Sequence, residues 1–222
     1  KWGSGDFSCS FGNAGDYPAA GNWSGNIYTE LGVYRSSTHT FYLDKSGNRK
    51  WGAGDVSYSF GNAGDLPVVG DWNGDNQTEI GVYRPSTHRF YLDYSGNGKW
   101  GECDKSFSFG NTGDLPVAAN WTGGRAFEIG VYRPSTHTFY LDLSSDDKWG
   151  AGDVSYSFGN AGDLPAVWDW NSNNKPEIGV YRPSTHMFYL DTSGNGKWGA
   201  GDKSFSFGNA ADSPVGGNWL TL

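Results

Sequence analysis

The triplet Lys-Trp-Gly returns at Lys1, Lys50, Lys99, Lys148 and Lys197, so this 222-residue chain is one 49-residue unit written four times and a half. A period of that size means a fold assembled from small structural units, each unable to bury its own apolar face alone. The repeats run 1–49, 50–98, 99–147 and 148–196, with a half repeat at 197–222, and read together as a single domain, 1–222. Copies are nearly identical: GAGDVSYSFGNAGDLP fills both 52–67 and 150–165, and EIGVYRPSTH fills 79–88, 128–137 and 177–186. Such identity records recent duplication, so the positions where copies differ carry more information than those where they agree.

In the second repeat, four runs bounded by Gly, Asn, Asp or Pro have the composition of strands: Leu66–Trp72 (a), Thr78–Arg84 (b), Arg89–Tyr94 (c) and Val56–Phe60 (d). Strand b alternates Ile80, Val82 and Arg84 with Glu79, Gly81 and Tyr83, and strand d alternates Val56, Tyr58 and Phe60 with serines. The 35 glycines, 11 tryptophans, 13 tyrosines and 13 phenylalanines fit short strands joined by tight turns. Four antiparallel strands in a repeat of about 40 to 50 residues make a propeller blade. The expected fold is therefore all-β, a β-propeller of four-stranded blades.

The blade count is less direct. Phe7–Phe11 reads as an outer strand d without a blade, and Ser213–Trp219 as an inner strand a without one. The middle strands b and c that would join them are missing. That arithmetic points to five blades with one incomplete or shared between molecules, and leaves four blades as the alternative. A shared blade would expose strand edges that template association.

With 24 acidic against 16 basic residues, the net charge of −8 argues against nucleic acid and against anionic membrane surfaces. No apolar run approaches the roughly 18 residues of a spanning helix, so no membrane insertion is expected. Every His, Asp and Arg recurs in equivalent surroundings, whereas catalysis needs unlike groups converging, and the chain reads as a non-enzyme. His39, His88, His137 and His186 each sit in a b–c turn, and Arg35, Arg84, Arg133 and Arg182 read as partners of repeated ion pairs. Cys9 and Cys103 show no metal-ligand spacing and lie too far apart in the repeat order for an internal disulfide.

Two loops carry candidate chemistry. In the c–d loop, Asp93, Ser95 and Asn97 fall at positions 1, 3 and 5 of a twelve-residue loop and Asp104 at position 12, a spacing like that of an EF-hand. It recurs as Asp44, Ser46, Asn48 and Asp55, as Asp142, Ser144, Asp146 and Asp153, and as Asp191, Ser193, Asn195 and Asp202. Alternate side chains of such a turn converge on one point, which suits Ca2+; Asx turns without metal are the other reading. Trp2, Trp51, Trp100, Trp149 and Trp198 lie in the same polar loops, and the last four are candidate ligand-binding residues for glycans. Trp23, Trp72, Trp121, Trp170 and Trp219 end strand a and read as core.

The string SFGNAGDLPVVGDWNGDNQTEIGVYRPSTH at 59–88 resembles the FG-GAP or integrin-α-like (VCBS-type) repeats of extracellular and cell-surface β-propellers. That resemblance covers the whole chain and implies a calcium site in the a–b loop, at Asp71, Asn73, Asp75 and Glu79 in the second repeat. The matching sets are Asn22, Ser24, Asn26 and Glu30, then Asn120, Thr122, Gly124 and Glu128, then Asp169, Asn171, Asn173 and Glu177, so three of four have lost carboxylates. The expected function is that of a non-catalytic, extracellular or cell-surface, calcium-assisted propeller that is a surface, adhesive or self-assembling, fibre-forming protein. Its partners would be further copies of itself. A multivalent lectin that binds glycans, and an accessory module of a larger secreted enzyme, are the alternatives.

Overall fold

The structure is a computed structural model describing residues 6–219. Four antiparallel sheets of four strands each account for all of its ladders, and each sheet keeps its strands in chain order. Blade 1 is β1 (Tyr17–Pro18), β2 (Gly32–Arg35), β3 (Thr40–Leu43) and β4 (Val56–Ser59). Blade 2 is β5 (Leu66–Gly70), β6 (Glu79–Arg84), β7 (Arg89–Leu92) and β8 (Lys105–Ser108). Blade 3 is β9 (Leu115–Ala119), β10 (Glu128–Arg133), β11 (Thr138–Leu141) and β12 (Val154–Ser157). Blade 4 is β13 (Leu164–Trp168), β14 (Glu177–Arg182), β15 (Met187–Leu190) and β16 (Lys203–Ser206). These are β-propeller blades, and among the described residues no helix is long and apolar enough to cross a membrane.

The blades number four, which corrects the five-bladed expectation. The segment 7–11 joins no ladder, and 213–219 forms only an isolated parallel bridge between Trp219 and Thr29. Both segments have strand composition, but a ladder needs a neighbour with free backbone groups, and among the described residues no middle strands supply one.

Two compact units divide the chain. One holds blades 1 and 2, with 125–127 and 217–219 packed on it, and the other holds blades 3 and 4. In the first unit, Tyr34, Phe41, Leu43, Phe60, Ile80 and Val82 share one buried cluster. In the second, Tyr132, Phe139, Leu141, Phe158, Ile178 and Val180 do the same. The second strand of each blade is buried on both faces, so the alternation read along strand b separates two packed faces rather than core from solvent.

Turn chemistry sets the register. Across the hairpin of blade 2, Tyr83 pairs with Phe90 and Gly81 with Leu92, and the Thr87 amide donates to the Arg84 carbonyl at 3.2 Å. His88 closes that turn at φ 52°, and His39, His137 and His186 hold the same left-handed position. An L-residue there is uncommon. The histidines thus serve the turn, and the His39, His137 and His186 carbonyls also accept the amides of Phe60, Phe158 and Phe207.

Candidate metal centre

One glutamate per blade, which opens the second strand in blades 2, 3 and 4 and stands two residues before β2 as Glu30 in blade 1, folds back over the a–b loop. Its Oε2 accepts the amide of the tryptophan seven residues earlier: Trp23 to Glu30 at 2.6 Å, Trp72 to Glu79 at 2.8 Å, Trp121 to Glu128 at 2.7 Å and Trp170 to Glu177 at 2.9 Å. A turn whose amides point inward needs a buried acceptor, and the carboxylate supplies it.

What the other carboxylate oxygen meets separates the copies. Glu30 Oε1 accepts from the Ser24 hydroxyl and from Asn26 Nδ2. Glu128 Oε1 accepts from Thr122 Oγ1 at 2.6 Å, and Glu177 Oε1 from Asn171 and Asn173 Nδ2 at 2.7 and 3.1 Å. In the second repeat Asn73 Nδ2 still donates to Glu79, at 3.2 Å, but Asp75 stands where Asn26 and Asn173 stand. A donor has become a third acceptor.

Asp71, Asp75 and Glu79 consequently each bring an oxygen within 4.8 Å of the other two. Asp71 and Glu79 are buried and Asp75 faces solvent. Burial pushes the Glu79 carboxyl up to about 8, with the charges of Asp75 and Asp71 adding to it, and burial also raises Asp71. Asp71 is held in place by the amides of Gly74, Asp75 and Asn76, at 2.7, 3.1 and 2.8 Å, while its carbonyl accepts the Phe127 amide at 2.7 Å. The donor set fits calcium: all-oxygen, mostly anionic, and spaced as ligands about 2.3–2.6 Å from one ion must be.

The c–d loops lie at the same end of each blade. Gly47, Gly96 and Gly194 pass beside Glu30, Glu79 and Glu177, and Ser145 Oγ donates to Glu128 at 3.5 Å. Each loop draws its expected residues together. Ser95 Oγ donates to Asp93 at 2.9 Å and the Ser95 amide to Asp104 at 3.2 Å, and Ser46, Ser144 and Ser193 do the same with Asp44 and Asp55, Asp142 and Asp153, and Asp191 and Asp202. Asn48, Asn97, Asp146 and Asn195 each accept the amide two residues on. The oxygens are thus shared with backbone amides, such as that of Gly98 on Asp93 at 2.7 Å. Burial raises Asp93 and Asp142; for Asp55 and Asp153 it also acts upward, but the amides of Ser46 and Gly52, and of Ser144 and Gly150, outweigh it and hold them low.

Trp51, Trp100, Trp149 and Trp198 are all half exposed, at 50–52%. Trp2 lies outside the described residues. Each exposed indole meets a tyrosine of its own blade, Tyr42, Tyr91, Tyr140 or Tyr189, in an edge contact with centroids 5.2–5.4 Å apart. Each tyrosine carries a guanidinium 4.2–4.5 Å above its ring, from Arg35, Arg84, Arg133 or Arg182. Those arginines make two-pronged ion pairs with Asp16, Asp65, Asp114 and Asp163 at 2.8–3.0 Å. The acidic partner lies 19 residues before the arginine in every repeat, a constant spacing that the sequence also carries. Of the core tryptophans, Trp23 and Trp72 are buried and Trp121, Trp170 and Trp219 half-buried. Cys9 and Cys103 are exposed, unbonded thiols.

No family model and no curated protein matches the chain. Among solved structures it is similar to the V. cholerae biofilm matrix protein Bap1, with 20% identity, a TM-score of 0.35, and coverage of 82% of this chain and 28% of that one. The chain thus spans a little over a quarter of that protein's length, and the FG-GAP resemblance rests on the residues quoted for it.

Proposed function

We propose that the protein is a non-catalytic, calcium-assisted β-propeller of the extracellular or cell-surface space, working by attachment and self-association. The observation that carries the calcium reading is the exchange at Asp75. Glu30, Glu128 and Glu177 have their second oxygen satisfied by hydroxyl or amide donors, whereas Asp71 and Asp75 each bring a further carboxylate oxygen within 4.8 Å of Glu79. Without a cation, that arrangement costs stability through burial and like-charge repulsion. Few formal charges and a partly open site suit an affinity on the order of 10⁻⁴–10⁻³ M, the range of extracellular modules.

Self-association is supported by blade 4. All four residues of β16 are exposed, Phe205 among them, unlike the outer strands β4, β8 and β12, and Phe207 just after it is exposed too. An uncovered edge strand flanked by aromatic rings is a template for pairing.

Two experiments test these claims. Thermal unfolding in millimolar calcium against chelator is expected to show a higher Tm with calcium, since a ligand of the native state stabilises by mass action; equal Tm values would refute the calcium reading. Light scattering with reductant present is expected to show mass above that of the single chain, reduced by Phe205→Asp. A monomer at every concentration would refute self-association.

A further inference from the structure

Beside Trp100 a cleft of about 340 Å³ opens between the end of β4 and blade 2, lined by Phe60, Asn62, Arg84, Tyr91 and Trp100 among others. Its size is that of a small-ligand site. Phe60 and Tyr91 both meet the indole edge to face, with centroids at 6.3 and 5.4 Å, while half its surface stays open. Polar groups rim it: Ser59, Asn62, and the Arg84 guanidinium, which also donates to the Tyr91 hydroxyl at 3.1 Å.

The charge in the cleft is balanced. Arg84 is paired in two-pronged fashion with Asp65, whose side chain is wholly buried, so the rim offers hydrogen bonds without net charge. With a protein charge of −8 besides, an anionic ligand is disfavoured. Gly61 also lines the cleft, and a Cβ there would lie 3.1 Å from the Tyr34 hydroxyl, which is fully buried and has no hydrogen-bond partner.

The same set recurs inside each unit. Phe11, Tyr42 and Arg35 surround Trp51, Phe109, Tyr140 and Arg133 surround Trp149, and Phe158, Tyr189 and Arg182 surround Trp198. Tyr132 repeats the unpartnered hydroxyl, beneath Gly159.

From these observations we infer that the Trp100 cleft, and likewise the matching tryptophan of each other repeat, takes one neutral hexopyranose residue of a polysaccharide, its apolar face on the indole and its hydroxyls on the polar rim. A flat apolar platform with neutral donors and acceptors at its edge matches the two-sided character of a sugar ring. A polyproline ligand would call for parallel aromatic ridges, whereas these rings meet edge to face around one hollow. Four weak sites on one chain yield avidity for a polymer that no single site has. None of the cleft residues belongs to the Asp71, Asp75 and Glu79 cluster, so the inference stands or falls apart from the calcium reading.

The test uses the methyl glycosides of glucose, galactose, mannose and N-acetylglucosamine, read by saturation-transfer NMR and tryptophan fluorescence, with decaproline as a competing probe. At least one glycoside is expected to bind at millimolar concentration, and its soluble polymer about 10²-fold more tightly. Replacing Trp51, Trp100, Trp149 and Trp198 together by Ala should abolish both. Should that variant fold poorly, Asn62→Ala alone should lower occupancy of one site in four while the far-ultraviolet spectrum stays native. Silence with all four glycosides, glycoside binding untouched by the tryptophan changes, or binding of decaproline alone would each overturn the inference.

Discussion

Asp75 and Glu79 hold carboxylate oxygens within 4.8 Å of each other at the place where the first and fourth repeats set an amide donor against the same glutamate. One residue, Asn to Asp, separates the self-satisfied turn of the fourth repeat from the three-carboxylate cluster of the second.

The pH dependence follows from Glu79. Its folded value lies near 8 against an ordinary 4.5, so between those limits the folded state keeps a proton that the unfolded state has lost. Stability of the metal-free protein therefore falls as pH rises through that window, and levels off above it. The calcium-induced rise in Tm should run the other way, growing toward pH 8 because the ion displaces that proton. Melting curves across the window, with calcium and with chelator, check both slopes.

Asp75→Asn rebuilds the turn of its neighbours. In chelator it should melt above the parent, by about 1–2 kcal/mol in stability, because an amide donor to a buried carboxylate replaces a repulsion. Calcium should no longer shift its Tm.

Arg84→Met strips Asp65 of its ion-pair partner while leaving it buried. Removing one member of such a pair costs about 3–5 kcal/mol. Chemical denaturation should show that loss, and replacing Asp65 by Leu in the same chain should recover most of it.

Gly98 and Asp147 occupy one position of the repeat, both left-handed, at φ 74° and 64°. A Cβ on Gly98 would fall 2.0 Å from Tyr58 Cδ1, so Gly98→Ala must displace a ring as well as strain the backbone and should cost more than about 1–2 kcal/mol. Asp147→Gly relieves the backbone and should stabilise by up to about 1 kcal/mol. Paired melts of the two variants decide.

The strands were legible because Gly, Pro, Asn and Asp punctuate every repeat, and the exposed tryptophans because they sit among polar loop residues. The blade count was not, since Phe7–Phe11 and Ser213–Trp219 carry strand composition and composition cannot tell which backbone groups find a partner. Nor did alternation reveal that Glu79–Arg84 is buried on both faces, because packing on each side is a tertiary fact. In the a–b loop the spacing of Asp71, Asp75 and Glu79 was visible. The hydrogen-bonded alternative that marks the other three loops came from geometry, because only coordinates show Asn26 and Thr122 turning their donors onto Glu30 and Glu128. The place of each histidine in its turn was likewise legible, but its left-handed backbone was not, since that geometry favours glycine.

The most direct measurement is calorimetric titration of calcium into the chelator-treated parent and into Asp75→Asn. The account predicts binding in the parent at the Asp71, Asp75 and Glu79 loop that disappears in the variant. Absence of binding in the parent, or the same affinity and stoichiometry in Asp75→Asn, would contradict it.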